Sequence, residues 1–283
     1  MINKITIKNS AKIINKELVI KRKNKEIDNI YNYLSSRAFD YFPKVLREDD
    51  DNIYYEYISD LLEPNEQKML DLVNLISLLH NKTTFYKEVD LDYYKYIYEE
   101  INLKIDDTLG YYNSLMDNIE EMVYMSPSNY LIARNISIIY QALYYAKDSI
   151  SAWIKMVENT RRVRLVTIHN NLKLEHYLKS DRPYLISWDK AKQDIPIYDL
   201  VSLYKNNYLD FDFVDILKIY LSKYPLKKEE MTLFLTIISI PDKIINRETE
   251  YERVLVIRRL LDYMYKSAVL VEEYGIKQEA NEG

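Results

Sequence analysis

Between Thr167 and Ala191 the chain reads TIHNNLKLEHYLKSDRPYLISWDKA, which holds His169, Asn170, Asn171, Glu175, His176, Ser187 and Asp189. Imidazoles and carboxylates move protons or hold metals, so acid–base and metal chemistry are the first readings to weigh. The six residues between His169 and His176 do not give the i, i+4 pair that sets two metal ligands on one helical face. His80, at the end of LISLLH, reads as a helix-terminal residue with no ligand role. RRVR (Arg161–Arg164) reads as a solvated helix end, and Glu99 and Glu100 as ordinary surface carboxylates.

Composition narrows the chemistry further. The 283 residues include no cysteine, which removes disulfides, thiolate catalysis and cysteine metal sites and suits a reducing cytoplasm. Only three glycines occur, Gly110, Gly275 and Gly283. No glycine-rich phosphate loop therefore exists in the first third, and a Rossmann or Walker nucleotide site is excluded. The 29 tyrosines fit the codon usage of an AT-rich genome. A net charge of −5 provides no basic field for nucleic acid or an anionic membrane. MINKITIKNS lacks a signal-peptide core, and no segment approaches the roughly 18 apolar residues of a membrane span. The expectation is a soluble cytoplasmic protein without nucleic-acid partners.

The surrounding elements follow from periodicity. KITIK alternates, and KIINKELVIK offers two more strands joined near Asn15-Lys16. Ile27, Ile30, Tyr31, Leu34 and Ala38 share one helical face, and FPKVLREDDDNIYYEYI reads as two strands around the EDDD turn. Long helices follow Ser59. In Ser128–Val157, Ile132, Ile136, Ile139, Leu143, Ala146, Ile150, Trp153 and Val157 form one stripe. Leu131, Ile138, Ala142, Tyr145 and Met156 add a second, which places this helix inside a bundle. Val254 to Val271 carries a narrower stripe. RVRLVTI and YLISW predict a strand–loop–strand island over 164–189. The fold class is α+β: a β-rich N-lobe with one helix over 1–60, joined near EYISD (56–60) to a mainly helical C-lobe over 61–283.

HNNLKLEH, ISWD and IYDL together resemble a motif set of the aminoglycoside phosphotransferase and choline kinase family, whose fold is bilobal and protein-kinase-like. The resemblance covers nearly the whole chain in element order, with its specific part in 165–204. The family pattern is H-G-D-x-x-x-x-N, then I-D-[WF]-[DE], then Y-D-L. It implies that the loop aspartate orients the attacking hydroxyl and accepts its proton, while the loop asparagine and the strand-turn aspartate hold the metal. Those positions fall here on Asn171, His176 and Ser187. Asn171 cannot act as base, and Ser187 is a poor magnesium ligand. Asp189 aligns with the acid after the tryptophan; positions i and i+2 of a strand share a side, so it would reach a metal by a small register shift, against the preferred reading of a structural hydrogen bond to neighbouring loop backbone.

The same resemblance implies loop-bracing roles for His169 and Asp199 and a core role for Trp188. LVIK (18–21) matches the strand whose Lys21 meets nucleotide phosphates, with Glu26 as its ion-pair partner and Tyr57, among the hinge tyrosines, stacking on an adenine. The reading that follows is a pseudokinase binding a nucleotide, another small molecule or a protein partner, with ATP the candidate cofactor and magnesium doubtful. The family's bacterial spore-coat branch opens a spore-associated role. The alternative is an active ATP-dependent phosphotransferase of a small alcohol or amine, with Asp189 on the metal and Glu175 as base. An all-α scaffold without a cleft would require the first 60 residues to form no sheet.

Overall fold

The fold is that of a computed structural model, which describes residues 5–8, 11–15, 17–22, 27–245 and 247–275. Elements are numbered in chain order. The chain forms two compact units: one holds residues up to Phe85 with Arg164–Asn207 and Lys218–Pro225, the other Tyr86–Val163, Tyr208–Leu217 and the residues from Leu226 onward.

In the first unit, β1 (Ile5–Lys8), β2 (Ala11–Ile14), β3 (Leu18–Arg22), β4 (Val45–Glu48) and β5 (Asn52–Glu56) make an antiparallel sheet ordered β1-β2-β3-β5-β4. The strands expected from alternation are all present. β2 turns into β3 at Asn15, whose φ of 52° is a left-handed conformation that asparagine tolerates. β3 lies mid-sheet, so Lys21 is fixed by pairing with Ile53 while its neighbours Lys12↔Ile20 pair on the other edge.

Helix α1 (Ile27–Ser36) buries Ile27 and Leu34 as its periodicity requires. It stops short of the expected Ala38, which takes a φ of 54°, and the Phe39 N–H closes the end on the Leu34 carbonyl at 3.0 Å. Helix α2 (Asn65–Thr83) buries Met69, Leu72, Val73, Ile76 and Leu79, and with them His80.

The 164–189 island differs from expectation. β7 (Arg162–Ile168) is buried along most of its length, as a continuous apolar run predicts, but it pairs with β10 (Lys192–Asp194), through Lys192↔Ile168. YLISW is a strand only in β9 (Pro183–Leu185), whose partner is β8 (Tyr177–Lys179), through Tyr177↔Leu185. After Leu185 the chain leaves the strand: Ser187 is left-handed (φ 69°, ψ 49°), and Trp188–Lys190 form a single 3-10 turn. The i, i+2 argument that put Asp189 beside Ser187 on one strand side therefore fails, because no strand continues there. Helix α5 (Ile197–Asn207) follows.

The second unit contains the short strand β6 (Phe85–Glu88, from Tyr86 on) and a helical bundle of α3 (Leu91–Glu120), α4 (Pro127–Val157), α7 (Lys228–Ser239) and α8 (Glu250–Tyr274). Helix α6 (Phe213–Lys223) belongs to this unit through Leu217. Ser126 caps α4 by accepting the Asn129 N–H at 3.3 Å, with Pro127 in the first turn, where its missing N–H costs nothing. Ile132, Ile139, Leu143, Ala146, Ile150, Trp153 and Val157 are buried and Ile136 partly so. Of the second stripe Leu131, Ala142, Tyr145 and Met156 are half-buried and Ile138 is exposed, while α4 packs on α3, α7 and α8. Each fully buried Ile or Leu there contributes about 1.5–3 kcal/mol. No described helix is long and apolar enough to cross a membrane.

Candidate functional site

The loop after β7 is held from beneath. The Asp199 carboxylate, in the first turn of α5 and fully buried, accepts the His169 N–H at 2.8 Å and the Asn170 N–H at 2.7 Å. Asn170 takes a φ of 56°, so the chain turns sharply and both N–H groups point at one carboxylate. Further along, the Leu172 N–H donates to Ser202 Oγ at 3.2 Å and its carbonyl accepts from Asn206 Nδ2 at 2.9 Å. The sequence placed His169 and Asp199 as braces, and both stand in this network.

Its other end was missed. His80 Nε2 lies 3.2 Å from Asp199 Oδ2, and its Nδ1 lies 2.6 Å from the Tyr220 hydroxyl. His80, expected as a helix-terminal residue, is a buried member of this network. The available signal was its place one turn after Ile76 on the core face of α2, since a polar group buried there needs a partner.

His169 itself is fully buried, and its Nε2 is 2.8 Å from the Ile186 carbonyl. A carbonyl only accepts, so the proton sits on Nε2, while the buried Nδ1 has no hydrogen-bond partner. Burial pushes its pKa down to about 4 against the raising effect of Asp199, so the ring is neutral near pH 7. Trp188 packs edge-on at 4.9 Å and donates from Nε1 to the Leu185 carbonyl at 2.7 Å, the core role expected of it.

Above this brace lies a cavity of about 260 Å³, lined by residues of the sheet, of 56–60 and of 175–189. Lys21 enters from β3 and reaches Asp189 Oδ2 at 3.2 Å and Ser187 Oγ at 3.5 Å. Tyr57 lines the same cavity, its N–H tied to the Glu17 carbonyl at 3.2 Å. Glu175 also lines it, with Oε1 3.8 Å from Lys173 Nζ. Lys21, Tyr57, Ser187 and Asp189 are thus brought together; Glu26 lies outside the described residues.

The remaining motif positions are Asn171 and His176. Asn171 offers an amide, and its carbonyl is 2.7 Å from His176 Nδ1. That bond places the His176 proton on Nδ1, and burial lowers the ring's pKa. A neutral imidazole and a serine hydroxyl stand where magnesium, a hard cation, takes oxygens, preferably charged ones. Among the described residues no group of three His, Cys, Asp or Glu side chains is arranged to hold a metal. The donor set does not fit a magnesium ion.

No protein-family model matches the sequence, and no curated protein matches it. Solved structures do. An aminoglycoside phosphotransferase from Alicyclobacillus acidocaldarius is similar with a TM-score of 0.64 at 11% identity, over 96% of this chain and 89% of that one. A glucosamine kinase gives 0.56 at 9% identity, over 96% and 76%. A spectinomycin phosphotransferase in complex with ADP and spectinomycin gives 0.54 at 12% identity, over 95% and 92%. At such identities the likeness speaks for the fold, and it agrees with the small antiparallel sheet and the mostly helical remainder. This chain has the protein-kinase-like fold of the aminoglycoside phosphotransferases.

Proposed function

We propose that this protein is a pseudokinase: it binds a nucleotide or another small molecule in the cavity around Lys21 and does not transfer a phosphoryl group. In this reading residues 1–60 are the N-lobe and 61–283 the C-lobe. One observation carries it. The base and metal positions of the resembled motif are occupied by Asn171, His176 and Ser187, while the brace beneath them, Asp199 with His169 and His80, is fully engaged. Phosphoryl transfer needs a group to orient and deprotonate the hydroxyl, and cations to offset charge on the phosphoryl oxygens. The brace needs neither. The spectinomycin phosphotransferase's ADP complex supports a nucleotide as the ligand to try first.

The second reading, an active phosphotransferase of a small alcohol or amine, has its own support: Glu175 and Asp189 line the same cavity as Lys21. Turnover and binding measured together separate the two. The full-length protein is incubated with magnesium ATP and a panel of small alcohols and amines, and released ADP is read; thermal unfolding with adenine ligands is read in parallel, because a ligand selective for the folded state raises apparent stability. The expected outcome is a stability shift without ADP release. ADP release that Asp189→Asn abolishes would overturn the proposal in favour of the enzyme.

A further inference from the structure

We infer that the cavity selects a neutral or cationic heteroaromatic of the nucleoside class and discriminates against polyphosphates. This rests on the binding role proposed above and adds the charge of the ligand. Ala11, Val19, Leu178 and Ile186 contribute apolar wall and Tyr57 a ring, the surfaces an aromatic base needs. Charge in the lining is one-sided. Glu56, Asp60, Glu175 and Asp189 face the cavity, and among the described lining residues the only cation is Lys21.

Neighbouring lysines offset part of this. Lys68 Nζ sits 2.5 Å from Asp60 Oδ2, and Lys173 Nζ 3.8 Å from Glu175 Oε1. Glu56 Oε1 accepts the Lys44 N–H at 2.9 Å, and Lys21, the one lining cation among the described residues, is engaged with Asp189 at 3.2 Å. A phosphate chain would have to compete with the Asp189 carboxylate for Lys21 in a lining that also holds Glu56, Asp60 and Glu175. Metal ions relieve such repulsion in phosphoryl transfer, but the donors here, Ser187 and His176, do not suit magnesium. A nucleoside brings the base without the charge.

The test compares adenosine, AMP and ATP at equal concentration with the full chain in EDTA, by thermal unfolding and by titration. Stabilisation should fall in that order, with adenosine binding at least ~10-fold tighter than ATP, the ratio that about 1.4 kcal/mol of repulsion produces. Asp189→Asn and Glu175→Gln, both at half-exposed side chains (46% and 45%), should narrow the ratio by strengthening ATP more than adenosine. ATP binding as tightly as adenosine would overturn the inference and leave the binding role standing. An unchanged ratio in both variants would overturn its electrostatic basis. No stabilisation by any of the three would remove the binding role as well.

Discussion

The two sides of the 169–176 loop differ in kind. Toward the core, Asp199 gathers His169, Asn170 and His80, each within 3.2 Å, and Ser202 and Asn206 hold Leu172. On the other side, the positions that the resembled motif gives to proton transfer and metal binding hold Asn171, His176 and Ser187, of which Ser187 lines the cavity. The difference follows from burial. A buried N–H or carboxylate left unpaired costs folding free energy whatever the protein does, so the inner side tolerates little change. Ser187 lines the cavity, where a change of side chain need not strand a buried polar group.

The largest test of this contrast is on the inner side. Asp199→Ala strands two backbone N–H groups and the His80 ring, and it should destabilise by about 3–5 kcal/mol in urea unfolding. A loss below about 1 kcal/mol would mean the loop is held by something else.

The pH dependence of His169 comes next. Its folded pKa of about 4 lies below the ordinary 6.5, so the unfolded chain binds the proton first as pH falls. The stability it contributes is complete above pH 6.5 and is lost on the way down to about 4. Its size is on the order of 3 kcal/mol at the low end. The difference in unfolding free energy between wild type and His169→Gln, followed from pH 7 to 4, isolates this from the carboxylates. Curves that stay parallel would show the ring titrating normally.

On the cavity side the expected effects shrink. Lys21→Met removes an ion pair whose carboxylate is half exposed, and should cost at most about 1 kcal/mol. The smallest effect sharpens the comparison most. Asn171→Asp restores a base but not the metal ligands, and should release no ADP from magnesium ATP. Turnover in that variant would mean a single substitution separates this cavity from an active one.

Much of the framework was legible. The alternation of KITIK and KIINKELVIK gave three strands, the Ile27–Leu34 spacing gave α1, and the two stripes of Ser128–Val157 gave a central helix, because each pattern spans enough residues for its period to show. β8, β9 and β10 have three residues each, too few for any period, so the pairing of RVRLVTI with Lys192–Asp194 was out of reach. ISWD read as strand because its apolar residues suit one; the positive φ of Ser187 leaves no such mark. Lys21, Asp199 and His169 were singled out through motif resemblance, which carries spacing that periodicity lacks.

By itself the sequence determined which groups stand at the reactive positions. An asparagine cannot act as a base, and a chain without early glycines cannot make a glycine-rich phosphate loop, whatever the fold. Only the tertiary structure decided the pairings: His80 with Asp199, 119 residues apart, and Lys21 with Asp189, 168 residues apart. Separations of that size are closed by packing of whole elements. No local pattern of side chains encodes which two groups will meet.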